Sequence, residues 1–422
     1  MRILLAGLTV LTLQGCAALD RLLSVEPQDR ISASAVESSP ANAQLLANSA
    51  VADFDCAFGA YVVMGGLIGE ELDETRLIID RKPYDQRTHT SKDRIYAVNR
   101  CESIGVYTPL QTARVSAERV LHLLESWSDA EVPQRATLIA TMHAYAGYST
   151  LLLGEGFCTT ALSSLDQNGK LVHGGEISRD SAIRVAESRL SAAITAAQGA
   201  GASSLLNFAL VGRARARLDR GDLPGARSDA TRVPPAFTYE MTASASPLRR
   251  NNRVWAQERT SFLTSVGILY QSLGDPRVPV RDTREYSPTG LPVFFQEKYS
   301  GASSPIRIAS GAEAQLIIAE SDIATGTASS LQTAAAIVNT FRARGNQTPL
   351  STADQPTLRA ALIDQRRREL FLEGHHLGDI IRFDMALTPA SGARFPTGGV
   401  YGSQKCLALP DVERLNNPVL GG

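Results

Sequence analysis

Apolar residues recur three and four positions apart along most of this chain, and that spacing restricts it to a helical scaffold. A helix places every third and fourth side chain on one face. Within 110–126 that face is Ala113, Ala117, Val120, Leu121 and Leu124. Pro133 can open the next helix as a first-turn residue, with Ala136, Ile139, Ala140, His143, Ala144, Gly147 and Leu151 on one stripe. Ser178 or Asp180 can cap another, with Ile183, Ala186, Leu190, Ile194 and Ala197 inward and Gly199 as its stop. Residues 41–65 read as the first helix. Residues 204–232 read as a helix hairpin. Leu210, Ala214 and Leu218 form its stripe, Gly221-Asp222 turns it, and Leu223-Pro224 starts a helix carrying Ala226 and Ala230. Small residues where two helices meet, with Gly at the turn, mark tetratricopeptide units, and 181–218 joins at compatible spacing. No clean ~34-residue period is visible. The predicted fold is therefore mainly α: a degenerate tetratricopeptide-like helix-hairpin scaffold.

The pattern breaks at 234–310. Pro234, Pro235, Pro247, Pro276, Pro279 and Pro288 fall there, among clusters of Arg, Asn and Ser. One helix is expected at 257–273, ending at Leu273-Gly274-Asp275-Pro276, and Val293-Phe294-Phe295 reads as extended. The remainder reads as long irregular loops, which on a rigid scaffold tend to carry binding residues. Helices resume at 311–323, 330–344, 356–373 and 376–386, with Gly326, Gly345 and Gly374 after the first three.

The first residues set the compartment. Arg2 precedes an apolar run from Ile3 to Leu13, shorter than the ~20 residues that span a bilayer and laid out like a secretory signal. Leu13-Gln14-Gly15-Cys16 matches the bacterial lipobox, so Cys16 would carry the acyl chains. The alternative is an ordinary cleaved signal with a chance Cys. On the lipobox reading, 1–15 is a signal peptide, 16–40 a lipidated tether, and 41–422 a single helical domain with the loop-rich insertion at about 234–310. Cys56, Cys101, Cys158 and Cys406 remain, and an even count in an exported chain reads as two disulfides. Three pairings are open. Cys56–Cys101 with Cys158–Cys406 is preferred because each closes one region without crossing; four unpaired buried thiols are the alternative.

Little in the chain points to catalysis. It has no His-Glu-x-x-His, no P-loop, no Gly-x-Ser-x-Gly and no Gly-x-Gly-x-x-Gly before a helix. No enzyme, cofactor or metal is expected. Adjacent His375 and His376 point in different directions on a helix, which favours a structural role. Glu70, Glu71, Asp73 and Glu74 read as a solvated face or loop rather than a calcium site. A net charge of -1 gives no bulk attraction to nucleic acid.

The stretch from Gln365 to Phe383 is dense in Arg and Glu, yet Leu370, Phe371, Leu372 and Ile380 are interleaved, so some of its charges must lie near the core in pairs. Arg367, Arg368, Glu369, Leu370, Glu373, Gly374, Asp379 and Arg382 resemble the C-terminal helix motif of the SusD/RagB family of outer-membrane nutrient-binding lipoproteins. His376 departs from it, standing where the family has Arg. Ser24-Val25-Glu26-Pro27, Lys298-Tyr299, the run Glu313 to Glu320, Asn339 to Arg344, and Leu409-Pro410 through Asn417-Pro418 also resemble family segments. The match is specific from 298 to 418. The resemblance implies a SusD-like fold and a non-enzymatic lipoprotein, anchored in the outer membrane and exposed at the cell surface. It implies a glycan or peptide ligand and a SusC-like TonB-dependent transporter as partner. Ligand contacts in such proteins are loop aromatics with Arg, Asn and Asp. The candidates here are Arg81, Tyr84, Arg87, His89 and Tyr107, and in the loop region Trp255, Tyr286 and Tyr299. The competing function is a helical-repeat lipoprotein that scaffolds an outer-membrane assembly complex.

Overall fold

The structure is a computed structural model and describes residues 37, 39–76 and 78–421. The signal peptide, Cys16 and most of the tether lie outside the described residues. The first long helix, α1 (Ala43–Ile68), starts two residues later than read and runs three residues further. It is long and apolar enough to cross a membrane, yet 83% of that apolar window is buried inside the protein. It is the core helix, carrying Phe54, Phe58, Tyr61 and Met64 inward. Against it pack α2 (Tyr107–Ser126) and α3 (Arg135–Gly156). The array continues through α4 (Arg179–Gly199), α5 (Ser203–Asp219), α6 (Leu223–Ala230), α7 (Gly311–Thr325) and α8 (Ala328–Arg344), each packed on the one before it. α9 (Gln355–Glu369) closes on α7 and α8, and α10 (His376–Arg382) on α1.

Small residues set how closely these helices approach. A Cβ on Gly147 would lie 2.7 Å from Leu190 Cγ, and one on Gly154 would lie 2.5 Å from Ile183 Cγ1. α3 and α4 can touch there only because both positions lack a side chain. Further along, Tyr148 stacks on Phe208 at 4.2 Å and Phe208 on Tyr239 at 3.9 Å. This ring column ties α3 and α5 to the short strand Thr238–Glu240 and buries large apolar area at low entropic cost.

Several element ends move. α3 begins at Arg135 rather than at Pro133, because Gln134 sits at φ 59. Ser178, not Asp180, caps α4 by accepting the Ser181 N–H at 3.2 Å; Asp180 pairs with Arg184 instead. The helix expected at 257–273 is absent. Arg253–Trp255 forms one turn, Ala256–Thr260 a wider π turn, and Phe262 takes φ 51. Thr264–Val266 then pairs antiparallel with Leu72–Glu74, in the register Leu72↔Val266. β-Branched residues ending the segment fit a strand better than a helix. α9 stops at Glu369, not 373, since Leu372 and Gly374 both have positive φ. α10 stops at Arg382, where Met385 N–H returns to the Ile380 carbonyl at 2.9 Å.

The described strands form five two-stranded antiparallel pairs and no larger sheet. Both disulfides have the preferred connectivity, Cys56–Cys101 and Cys158–Cys406, with Cα separations of 5.6 and 5.2 Å. The second clasps the C-terminal segment to the end of α3, where Leu407 N–H also reaches the Gly156 carbonyl at 2.9 Å.

Candidate functional site

The Arg/Glu region is a buried ionic lattice. Arg366 grips Asp379 through two bonds of 2.9 Å, and Arg382 grips Glu320 at 2.9 and 3.1 Å while reaching Asp219 at 3.1 Å. Arg215 does the same to Glu313 at 2.6 and 3.0 Å. Glu373 takes Lys298 at 2.6 Å and Arg307 at 2.7 Å. These pairs lock α5, α7, α9 and α10 together. Despite its burial, Asp379 is held at about 2, chiefly by Arg366 and then Arg382. His375 and His376 are buried apart, as expected of a structural pair. His375 lies 3.5 Å from an Arg215 nitrogen, while His376 meets the Tyr270 ring edge-on. Burial pushes His376 down to about 4.

The acidic cluster is not a solvated face. Glu70, Glu71 and Glu74 are buried. Glu71 accepts the Leu372 N–H at 2.8 Å, and burial pushes it up to about 8. Glu74 pairs with Arg81 at 2.7 Å and Glu70 with Arg87 at 3.1 Å. Among the described residues, one group of metal-type donors lies close enough to share an ion: Cys56, Cys101 and Glu102. Both of its sulfurs are spent in the disulfide.

Those ion pairs also correct most of the expected ligand contacts. Arg81 and Arg87 are buried against their glutamates, and the Arg87 guanidinium lies over the Tyr401 ring at 4.7 Å. Tyr84 is buried. His89 is held 2.8 Å from the Cys406 carbonyl. Tyr107 packs edge-on to Phe157 in the core. Tyr299 is buried, its hydroxyl donating to the Leu372 carbonyl at 2.9 Å. These six have no open surface to offer a ligand. Trp255 is half-buried against the core, and Tyr286 is 74% exposed.

Tyr286 stands at the rim of an aromatic groove of about 200 Å³. Its base is built from four strand segments. Leu72–Glu74 pairs with Thr264–Val266, and Ser265 Oγ accepts the Phe294 N–H at 2.9 Å. That bond brings in the hairpin Val280–Tyr286/Pro292–Gln296. Phe295 forms the floor, with the Arg259 guanidinium 4.4 Å from its ring centre. Glu297 fixes Arg259 at 2.8 Å and Arg281 at 2.7 Å, so the cation-bearing face is preset. Phe262 forms one wall and is 51% exposed. Its left-handed backbone is costly for an aromatic residue, ~1–3 kcal/mol. Its carbonyl accepts Thr75 Oγ1 and Arg76 Nε, each at 3.0 Å, which holds the conformation. Phe262, Phe295 and Arg76 are absent from the sequence-based candidates; Phe262 was hidden inside the helix expected there. Two larger clefts, about 440 and 400 Å³, flank the short helix Asp411–Asn416, and no Phe, Tyr or Trp lines either.

Comparison with known proteins agrees with this architecture. Residues 296–409 match the SusD family model. No curated protein matches the chain. Solved structures do. A SusD superfamily protein from Parabacteroides distasonis superposes with TM-score 0.68 at 13% identity, covering 92% of this chain and 98% of its own. A SusD-like carbohydrate binding protein from Bacteroides vulgatus gives 0.64 at 14%, covering 90% and 97%. A second Bacteroides vulgatus SusD superfamily protein gives 0.62 at 14%, covering 82% and 89%. Residues 296–409 are thus similar to the SusD family, and nearly the whole chain shares the fold of SusD superfamily structures.

Proposed function

We propose that this chain is a non-enzymatic, surface-exposed outer-membrane lipoprotein, anchored through Cys16, that binds a glycan in the aromatic groove and hands it to a SusC-like TonB-dependent transporter. The observation that carries the reading is Phe262, an aromatic side chain turned to solvent on a left-handed backbone and held there by two hydrogen bonds beside exposed Tyr286. Strain held in place by surrounding bonds is characteristic of ligand clamps. Flat rings suit the apolar face of a sugar, and the arginines and Glu285 around the groove suit its hydroxyls. A structural relative described as a SusD-like carbohydrate binding protein supports glycan over peptide.

A protein that delivers its ligand must also release it, so an affinity in the micromolar range, ~-8 kcal/mol, is expected. Calorimetry with a glycan and peptide panel tests this. Phe262→Ala and Tyr286→Ala should each weaken glycan binding about tenfold, ~1.4 kcal/mol, with far-UV spectra unchanged. Glycan binding untouched in both variants would place the site elsewhere. Mild-detergent purification should bring down a large β-barrel transporter. Recovery of barrel-assembly factors alone would favour the scaffold reading.

A further inference from the structure

On the reading that this groove binds a glycan, we infer that it takes one neutral terminal sugar ring and leaves the rest of the chain in solvent. The size sets the limit. At about 200 Å³ the groove falls below the ~300–1,000 Å³ of pockets that enclose a drug-sized ligand. Its floor cannot deepen, because Phe295 is backed by Arg259, which Glu297 pins in place. One wall is Phe262, whose carbonyl is tied down by Thr75 and Arg76. Tyr286 and Pro288 stand at the other side. The rigid part is therefore one ring wide.

Charge at the rim sets the chemistry. Arg76 spends its Nε on the Phe262 carbonyl, while its terminal nitrogens have no hydrogen-bond partner among the described residues. The Glu285 carboxylate likewise has none; only its backbone N–H is engaged. One free donor set and one free acceptor at the same opening fit ring hydroxyls, which both donate and accept. An anionic sugar would face Glu285 and a cationic one Arg76, so a neutral ring fits best. A longer chain gains no second stacking platform on the clefts beside Asp411–Asn416 or on the cleft of about 480 Å³ along Leu223–Arg232, since no Phe, Tyr or Trp lines any of them.

Chain length is the test. Full-length protein in mild detergent is titrated calorimetrically with malto-, cello- and manno-oligosaccharides of one to six units, and with one uronate series. The inference expects one series to bind with Kd constant within ~2-fold from one unit to six. It also expects Arg76→Ala and Glu285→Gln each to weaken that series ~5-fold or more, with the melting temperature kept. Affinity that climbs with each added unit refutes the one-ring inference and leaves glycan binding standing. Preference for the uronate series refutes the neutral-ring assignment. Binding of peptides alone, or of nothing in the panel, removes the glycan reading and this inference with it.

Discussion

Replacing Glu373 by Ala tests whether the charged C-terminal motif is architecture or binding site. Glu373 is 2% exposed, and one oxygen accepts both Lys298 Nζ at 2.6 Å and Arg307 Nε at 2.7 Å. Neither cation is free to leave. Lys298 also donates to the Phe371 carbonyl at 2.6 Å, and Arg307 to the Glu369 carbonyl at 3.0 Å. Removing the carboxylate strands the Lys298 charge beside Arg307, which keeps only the Glu369 carboxylate 3.8 Å away. Breaking such a pair costs ~3–5 kcal/mol; the two backbone carbonyls that remain place the expectation at the lower end. At ~2 °C per kcal/mol for a chain of this size, that is a fall of roughly 6–8 °C in Tm. Scanning calorimetry and urea titration read it out. Glu373→Gln, which keeps an acceptor for one cation, should lose about half as much. In both variants the folded protein should bind glycan with wild-type affinity, because Glu373 does not line the groove. Unchanged stability with lost binding would refute the reasoning and move this motif into the site.

Burial raises Glu71 from its ordinary value to about 8. The folded state therefore holds a proton that the unfolded state has released above about pH 4.5, and stability contributed by this group declines as pH rises from there to about 8. Glu71→Gln, which can still accept the Leu372 N–H, should flatten that decline in a stability–pH profile; a profile as steep as wild type would clear Glu71 of responsibility. Cys16→Ser should shift the protein from the outer-membrane fraction to the soluble fraction, and continued sedimentation with membranes would place the anchor elsewhere.

Helices were legible wherever a one-sided apolar stripe coincided with a local stop signal. α2, α4, α5 and α7 follow their stripes to within a few residues, and Gly326 ends α7 at φ 70 as its chemistry allows. The C-terminal lattice was legible for a related reason. Charges interleaved with Leu370, Phe371 and Ile380 can be buried only in pairs, and residues 296–409 are also where the family model matches. Glu70, Glu71 and Glu74 carry no such local signal. Their partners Arg81 and Arg87 are near in sequence, but Leu372 is 301 residues away, and no local pattern shows a carboxylate aimed at a distant backbone N–H. The groove was hidden for a third reason. Residues 257–273 have enough apolar positions to read as a helix, and nothing local announces φ 51 at Phe262. What overrides the helix is tertiary: Thr75 and Arg76 hold the Phe262 carbonyl, and Leu72–Glu74 supplies the strand that Thr264–Val266 completes. Both partners lie about 190 residues upstream. A binding surface assembled from such distant pieces leaves only its exposed rim residue, Tyr286, for a one-dimensional reading to find. The candidates that failed did so because Arg, Tyr and His near one another fit a ligand site and a buried ion-pair network equally well. Only burial separates the two, and burial depends on the fold as a whole.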